Sequence, residues 1–209
     1  MTRPRSDALP VTLLGVLGAV CVATVADPPA GRVSWLLEVG PGLVGVGALA
    51  AVYRRFRMSN LVYVCVFLHM LILIYGGYYT YAKTPLGNWA MQAFDLSRNH
   101  YDRVGHLALG VFPALYAREI LLRTSPLRRG RWLTFIVCSI CLAVGAFWEL
   151  LEWWTALIVA SDVGVAFLGS QGDVWDAQWD MLLALLGAMA SLASFGRAHD
   201  RSLERVSEV

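Results

Sequence analysis

Long apolar runs, separated by short polar segments, follow one another along the whole chain. Within the runs the apolar residues are continuous rather than striped with the period of a strand or a surface helix, which predicts elements with apolar surroundings on all sides. The runs lie at 9–26, 34–53, 61–82, 104–122, 132–158 and 178–196. About 20 helical residues cross a hydrocarbon core of ~30 Å, and backbone groups in lipid must be bonded internally. The pattern therefore predicts an all-α, polytopic transmembrane bundle of about six spans.

Composition supports this prediction. Of the 209 residues, 57% are hydrophobic and 15% are charged, whereas a soluble domain carries roughly 25% charge. The four cysteines all lie inside apolar runs, which favours packing over a disulfide framework. We therefore treat residues 1–209 as a single integral membrane domain whose partner is the lipid bilayer, and we predict no nucleic-acid partner.

The basic residues collect in alternate connections between the runs. These clusters are Arg3 and Arg5; Arg54, Arg55 and Arg57; Arg123, Arg128, Arg129 and Arg131; and Arg197, Arg201 and Arg205. Because short cytoplasmic loops carry an excess of Lys and Arg, all four clusters are assigned to the cytoplasm, together with both chain ends. The run at 9–26 could also be read as a cleaved signal peptide, which would leave the rest of the topology unchanged.

Acidic residues gather at the outward ends of the last three runs. The candidates, with one histidine, are Asp102, His106, Glu149, Glu152, Asp173, Asp176 and Asp180. Within each run their spacing is three or four residues, so each set occupies one helix face. The same faces continue inward as small residues such as Gly110, Gly145 and Ala184, which favour close helix packing. We therefore expect three helices to present carboxylates to a shared hollow.

Simpler explanations compete for some of these residues. Asp173 suits a helix cap, and Asp102 could cap a helix or pair with Arg103. Glu149 is harder to explain this way because apolar residues surround it, and a charge at that depth usually faces the bundle interior or a wet cavity. His106 and Asp180 lie about one turn inside their runs, at similar depth.

Four other polar residues have less specific interpretations. They are His69, interpreted as a hydrogen-bonded structural residue, Arg118 and Glu119, interpreted as an ion pair at the cytoplasmic interface, and Glu38, interpreted as an outer acid or a headgroup contact.

Three stretches carry a resemblance to a known family: Arg98-Asn-His-Tyr-Asp-Arg-Val-Gly-His106, Phe147-Trp-Glu-Leu-Leu-Glu-Trp153, and the glycine- and acid-rich segment 167–181. Together they resemble the YjdF type of bacterial inner-membrane protein, which implies a small multi-pass inner-membrane protein and supplies no reaction. A looser similarity is to VanZ-like membrane proteins, in which Asp102 to His106, Glu149 and Asp180 would match in order. That similarity hints at lipid or cell-wall precursors.

The leading hypothesis is an outward-facing pocket that binds a divalent cation, a lipid headgroup, or both. The metal candidates are Asp102, His106, Glu149, Asp176 and Asp180. Carboxylates with one histidine suit Mg²⁺, Mn²⁺ or Ca²⁺ better than a structural Zn²⁺ site.

In an enzyme, a metal-bound water would attack a phosphoester or an amide. Glu149 or Glu152 would then be the general base, and His106 an acid or a ligand. A transporter of ions or small solutes and a non-catalytic scaffold remain alternatives.

Overall fold

The computed structural model describes residues 6–159, 164 and 167–207, and within them the secondary structure is entirely helical. The helices are α1 (Ala8–Val25), α2 (Arg32–Val52), α3 (Asn60–Tyr79), a 3₁₀ turn (Tyr81–Lys83), α4 (Pro85–Ala93), α5 (Tyr101–Thr124), α6 (Arg131–Ile158) and α7 (Asp176–Ser207). The prediction of a polytopic helical bundle is thus confirmed.

Local chemistry explains several helix ends. The Ser59 hydroxyl accepts a hydrogen bond from Val62 N and caps α3, which satisfies one of the free N–H groups of the first turn. Pro85 occupies the first turn of α4, where its missing N–H costs nothing. Thr80 has φ 60°, a left-handed conformation that ends α3.

The helix bounds differ from the predicted runs in three places. α3 ends at Tyr79 and does not continue to residue 82, because the chain turns sharply at Thr80. The predicted loop at 83–101 contains the short helix α4. α7 continues beyond residue 196 to Ser207, since hydropathy marks where a helix leaves lipid and not where its hydrogen bonding stops.

In the part of the chain that the structure describes, five helices are long and apolar enough to cross a membrane: α1, α2, α3, α6 and α7. α5 falls short on composition because it carries charged residues at both ends. Its 24 residues nevertheless span about 36 Å at 1.5 Å per residue. It packs against α3, α6 and α7, so it runs the length of the bundle alongside them.

The predicted small-residue faces form the closest helix contacts. A Cβ atom placed on Gly110 of α5 would lie 2.0 Å from the Ala184 carbonyl oxygen of α7, and one placed on Gly187 would lie 2.3 Å from the Leu107 carbonyl oxygen. A Cβ on Gly145 of α6 would approach Ala184 to 3.0 Å. α5, α6 and α7 therefore form one tightly packed unit, as small interface residues allow in membranes.

The arginine-rich connections lie together at one end of the bundle. Arg123 Nη1 donates to the Arg57 carbonyl oxygen at 2.7 Å, and Arg57 pairs with Asp7 near the start of α1 at 2.9 Å. Arg129 pairs with Asp200 of α7 at 2.8 Å. This grouping agrees with the predicted sidedness, in which the arginine-rich end faces the cytoplasm.

Candidate metal site at the outer end of the bundle

The predicted acidic residues meet at the opposite, outer end, between α5, α6 and α7. Ligand atoms of His106, Glu149 and Asp180 all lie within 4.8 Å of one another. The same holds for the group Asp102, His106 and Glu152 and for the group Asp102, Asp176 and Asp180. His106 Nε2 lies 3.4 Å from Glu149 Oε1 and 3.8 Å from Asp102 Oδ1. Each residue assigned to the site from sequence thus belongs to one cluster.

The centre of this cluster is buried and poorly hydrogen bonded. Asp180 is 1% exposed and His106 is 3% exposed. Asp180 Oδ1, Glu149 Oε1 and His106 Nδ1 have no hydrogen-bond partner among the described residues, so the 3.4 Å approach of His106 to Glu149 lacks hydrogen-bond geometry. Buried polar atoms are normally paired, and these three exceptions belong to residues of one cluster.

Other members of the cluster have protein partners. Trp148 Nε1 donates to Glu152 Oε1 at 2.7 Å and orients that carboxylate. Arg98 pairs closely with Asp176 and donates to the Ser170 carbonyl oxygen at 3.0 Å. Asp176 is therefore held by a guanidinium, which leaves the unpaired carboxylates deeper in the bundle.

Polar residues just beyond the helix ends cover the cluster on its outer side. Asp173 Oδ2 pairs with Arg103 at 2.6 Å, and Asp173 Oδ1 accepts from Trp175 N at 2.9 Å just before α7. The possible pairing of Asp102 with Arg103 is wrong, because Arg103 turns to Asp173 instead. Burial and then the nearby Arg103 and Arg98 lower the pKa of His100 in this region. The lowered pKa disfavours the charged form of His100 in this region.

Glu38 of α2 extends the acidic cluster toward the first half of the chain. It is 3% exposed and lies beside Gly77 of α3, where an added Cβ would approach Glu38 Cβ to 2.9 Å. It interacts electrostatically with Asp102 and Glu152. The headgroup-contact interpretation of Glu38 is wrong. The sequence signal for Glu38 is the same one that singled out Glu149: an acidic residue within an apolar run.

A second buried polar network, the inner network, lies at the arginine-rich end. Glu119 is fully buried and accepts from Ser59 N at 2.7 Å and from Arg123 at 2.8 Å, while its other oxygen lies 3.1 Å from His199 Nε2. Arg118 contacts His199 Nδ1 at 3.0 Å. The predicted interface ion pair of Arg118 with Glu119 is therefore wrong, since each side chain bonds to other partners inside the bundle.

His69, interpreted as structural, is buried and stacks on Phe112 of α5 with ring centroids 5.6 Å apart. Its Nε2 has no hydrogen-bond partner among the described residues. The packing role agrees with the prediction, whereas the expected hydrogen bond at that nitrogen is not seen.

Several apolar helices and two buried polar clusters define a multi-pass membrane protein that keeps titratable groups inside its bundle. Residues 9–201 match the family described as Predicted membrane protein (DUF2238), and the chain belongs to this family. It is 45% identical over 174 residues to the Inner membrane protein YjdF of Escherichia coli (strain K12), covering 83% of each chain. No solved structure matches the chain. The predicted YjdF-type family and inner-membrane location are confirmed, and the similarity to VanZ-like proteins stays a prediction.

Proposed function

We propose that this inner-membrane protein binds a divalent cation of the Mg²⁺, Mn²⁺ or Ca²⁺ type at the outer ends of α5, α6 and α7. His106, Glu149 and Asp180 would be its central ligands, supported by Asp102, Glu152 and Asp176. The observation that carries the proposal is that each of these three central residues has a buried polar atom without a hydrogen-bond partner among the described residues. Burial of an ionised carboxylate without a partner is costly, and a bound cation removes that cost.

The size of the cluster suits such an ion. Hard cations sit at about 2.0–2.6 Å from their oxygen ligands, so ligands on opposite sides are roughly 4–5 Å apart. The ligand atoms of each group lie within 4.8 Å of one another. Predominantly carboxylate ligands favour Mg²⁺, Mn²⁺ or Ca²⁺, and the single imidazole makes Mn²⁺ the most suitable probe.

The proposal extends to hydrolysis of a lipid-linked or envelope substrate at this site. A bound cation lowers the pKa of a coordinated water and makes it a nucleophile near neutral pH. Glu152, oriented by Trp148, is better placed than Glu149 to take up the proton, because Glu149 is needed as a ligand. The scissile group, a phosphoester or an amide, would enter beside the Arg103–Asp173 pair, which lies just beyond the helix ends on the outer side of the cluster.

Mn²⁺ titration of the purified protein tests the cation site. Loss of a residue that merely supports a metal ligand costs 10–100-fold in affinity, so Asp180→Asn and Glu149→Gln should each weaken Mn²⁺ binding by at least about 100-fold. Asp95→Asn, in the exposed outer loop, should leave the affinity unchanged. Thermal unfolding without metal is measured alongside. If the site variants lose stability without metal and keep the same Mn²⁺ response, the residues are structural and the proposal fails.

Ion transport is a second candidate because the inner network lies on the same helix pair as the proposed cation site. Glu119 and His199 at the inner end and His106 and Asp180 at the outer end all belong to α5 and α7. Between them, Ser191 of α7 is 1% exposed and its hydroxyl has no hydrogen-bond partner among the described residues. Transport predicts ion flux in proteoliposomes that Asp180→Asn abolishes, whereas a binding or hydrolytic site predicts none.

A further inference from the structure

A polar pocket of about 280 Å³ opens at the arginine-rich end of the bundle. It lies between the last turns of α5, the start of α6 and the cytoplasmic part of α7, far from the outer acidic cluster. Its charged lining consists of Arg118, Arg129, Arg197 and Asp200. Three guanidinium groups against one carboxylate leave the pocket with a surplus of positive charge.

Asp200 holds two of the arginines in place without using up their donors. Asp200 Oδ1 accepts from Arg118 Nη2 at 2.7 Å and from Arg129 Nε at 2.8 Å. Arg118 is buried, so its position is fixed by packing as well as by these bonds. Arg197 has no polar partner among the described residues. The pocket therefore presents pre-positioned donors of the kind that bind phosphate oxygens in pairs.

The start of α6 adds backbone donors to the same pocket. Gly130 precedes the helix, lines the pocket and provides no side-chain cap. The first intrahelical bond of α6 runs from Thr134 N to the Gly130 carbonyl oxygen at 3.1 Å. The N–H groups of residues 131–133 are thus left for another acceptor, and the helix dipole favours an anion there.

The pocket is also open at the surface of the bundle. Thr134 of α6 and Ala193 of α7 line the pocket, and both are exposed at the surface of the bundle. Leu133 and Leu192 supply apolar lining next to the charged groups. Charged groups next to apolar side chains suit a phospholipid, whose phosphate lies at the membrane interface while its chains extend into the hydrocarbon.

We propose that this pocket binds a phosphate group, and its position at the cytoplasmic interface favours an anionic phospholipid of the inner leaflet as the source. Basic pockets between spanning helices on the cytoplasmic side are a recurrent way of holding such lipids. A soluble phosphate-bearing molecule would present the same chemistry. The site is separate from the proposed cation site and does not depend on it.

Lipid retention by the purified protein tests the proposal. Phosphatidylglycerol and phosphatidylethanolamine are offered in equal amounts, and bound lipid is counted by native mass spectrometry. The test variant is Arg129→Gln/Arg197→Gln, which spares the buried Arg118. The matched control is Arg55→Gln/Arg128→Gln, which removes the same charge from exposed positions at the same end. In a parallel arm, inorganic phosphate is titrated against thermal stability.

The wild-type protein and the control should prefer phosphatidylglycerol, and the test variant should lose about 30-fold in its retention, or about 1 kcal/mol for each arginine. Retention of the lipid with no response to inorganic phosphate identifies the membrane as the source. A response to inorganic phosphate alone, lost in the test variant only, identifies a soluble ligand of the same pocket. If both variants behave alike in both arms, the pocket does not bind phosphate and the inference is overturned.

Discussion

Two buried carboxylates show how differently the same chemical group can be accommodated. Glu119 is fully buried and is satisfied by Ser59 N, Arg123 and His199. Asp180 is almost equally buried, yet one of its oxygens has no partner among the described residues. A satisfied buried group adds to stability, whereas an unsatisfied one is a cost that a bound ligand can offset. This difference supports a structural role for Glu119 and the proposed ligand role of Asp180.

The structural role of the inner network predicts a large effect for His199→Ala. The change removes the contacts of His199 with both Glu119 and Arg118. Removing one partner of a buried charged interaction in this way costs about 3–5 kcal/mol of stability. Equilibrium unfolding in detergent micelles measures the loss. Glu204→Ala, an exposed position one turn further along α7, should change stability by less than about 0.5 kcal/mol. Equal stability of the two variants would show that the contacts of His199 in the inner network do not stabilise the protein.

At the scale of elements, the packing of α5 on α7 controls the distance between the carboxylates. Gly110 of α5 lies against Ala184 and Ala188, and Gly187 of α7 lies against Leu107. These contacts bring the side chains of His106 and Asp180, which lie nearer the outer end, close enough for their ligand atoms to lie within 4.8 Å of each other. In α2, by contrast, Gly45 and Gly47 have open space where a Cβ would be.

Gly110→Ala should therefore destabilise the protein, while Gly45→Ala should not. The added methyl group at Gly110 would meet the Ala184 carbonyl oxygen at 2.0 Å, and overpacking of this kind costs about 1–3 kcal/mol. At Gly45 the better helix propensity of alanine should leave stability unchanged or raise it by up to about 1 kcal/mol. Unfolding midpoints in detergent give both values, and a neutral Gly110→Ala would mean that α5 and α7 are not held at this spacing.

Prediction at this scale was most successful for long apolar helices. α1, α2, α6 and α7 each overlap a predicted run, because hydropathy over about 20 residues responds directly to the surrounding lipid. The end of α3 was misplaced because it depends on one residue, Thr80, in a left-handed conformation. The helix α4 was missed because nine residues at a membrane surface carry no spanning signal.

Across the whole molecule, the two ends differ in charge and in chemistry. The inner end holds the arginine-rich connections, and the outer end holds the unpaired carboxylates. The inner-membrane location, which the similarity to YjdF supports, and the arginine bias together indicate that the arginine-rich end faces the cytoplasm. In this orientation the proposed cation site would lie on the extracytoplasmic side, and the proposed phosphate pocket would lie at the inner leaflet.

Thiol labelling of spheroplasts checks the orientation. Ser97→Cys, in the exposed loop before α5, should react with a membrane-impermeant maleimide applied to spheroplasts. Arg128→Cys, in the connection between α5 and α6, should react only after the membrane is permeabilised. The wild-type protein gives the background, since Cys65, Cys138 and Cys141 are buried and Cys21 lies within α1. Labelling of Arg128→Cys in intact spheroplasts would show that the orientation is the reverse. It would then contradict the side of the membrane assigned to both proposed sites.

The class of protein, the approximate spans and the position of the acidic residues at the outer ends all follow from the sequence. They depend on hydropathy and on helical spacing, both of which are local along the chain. The family was indicated separately, by the resemblance of three sequence stretches. Which carboxylates are paired depends on the tertiary structure: Asp176 pairs with Arg98 and Asp173 with Arg103, whereas one oxygen of Asp180 has no partner in the described part of the chain. Pairing depends on distances between residues far apart in sequence, so the spacing within one helix cannot specify it.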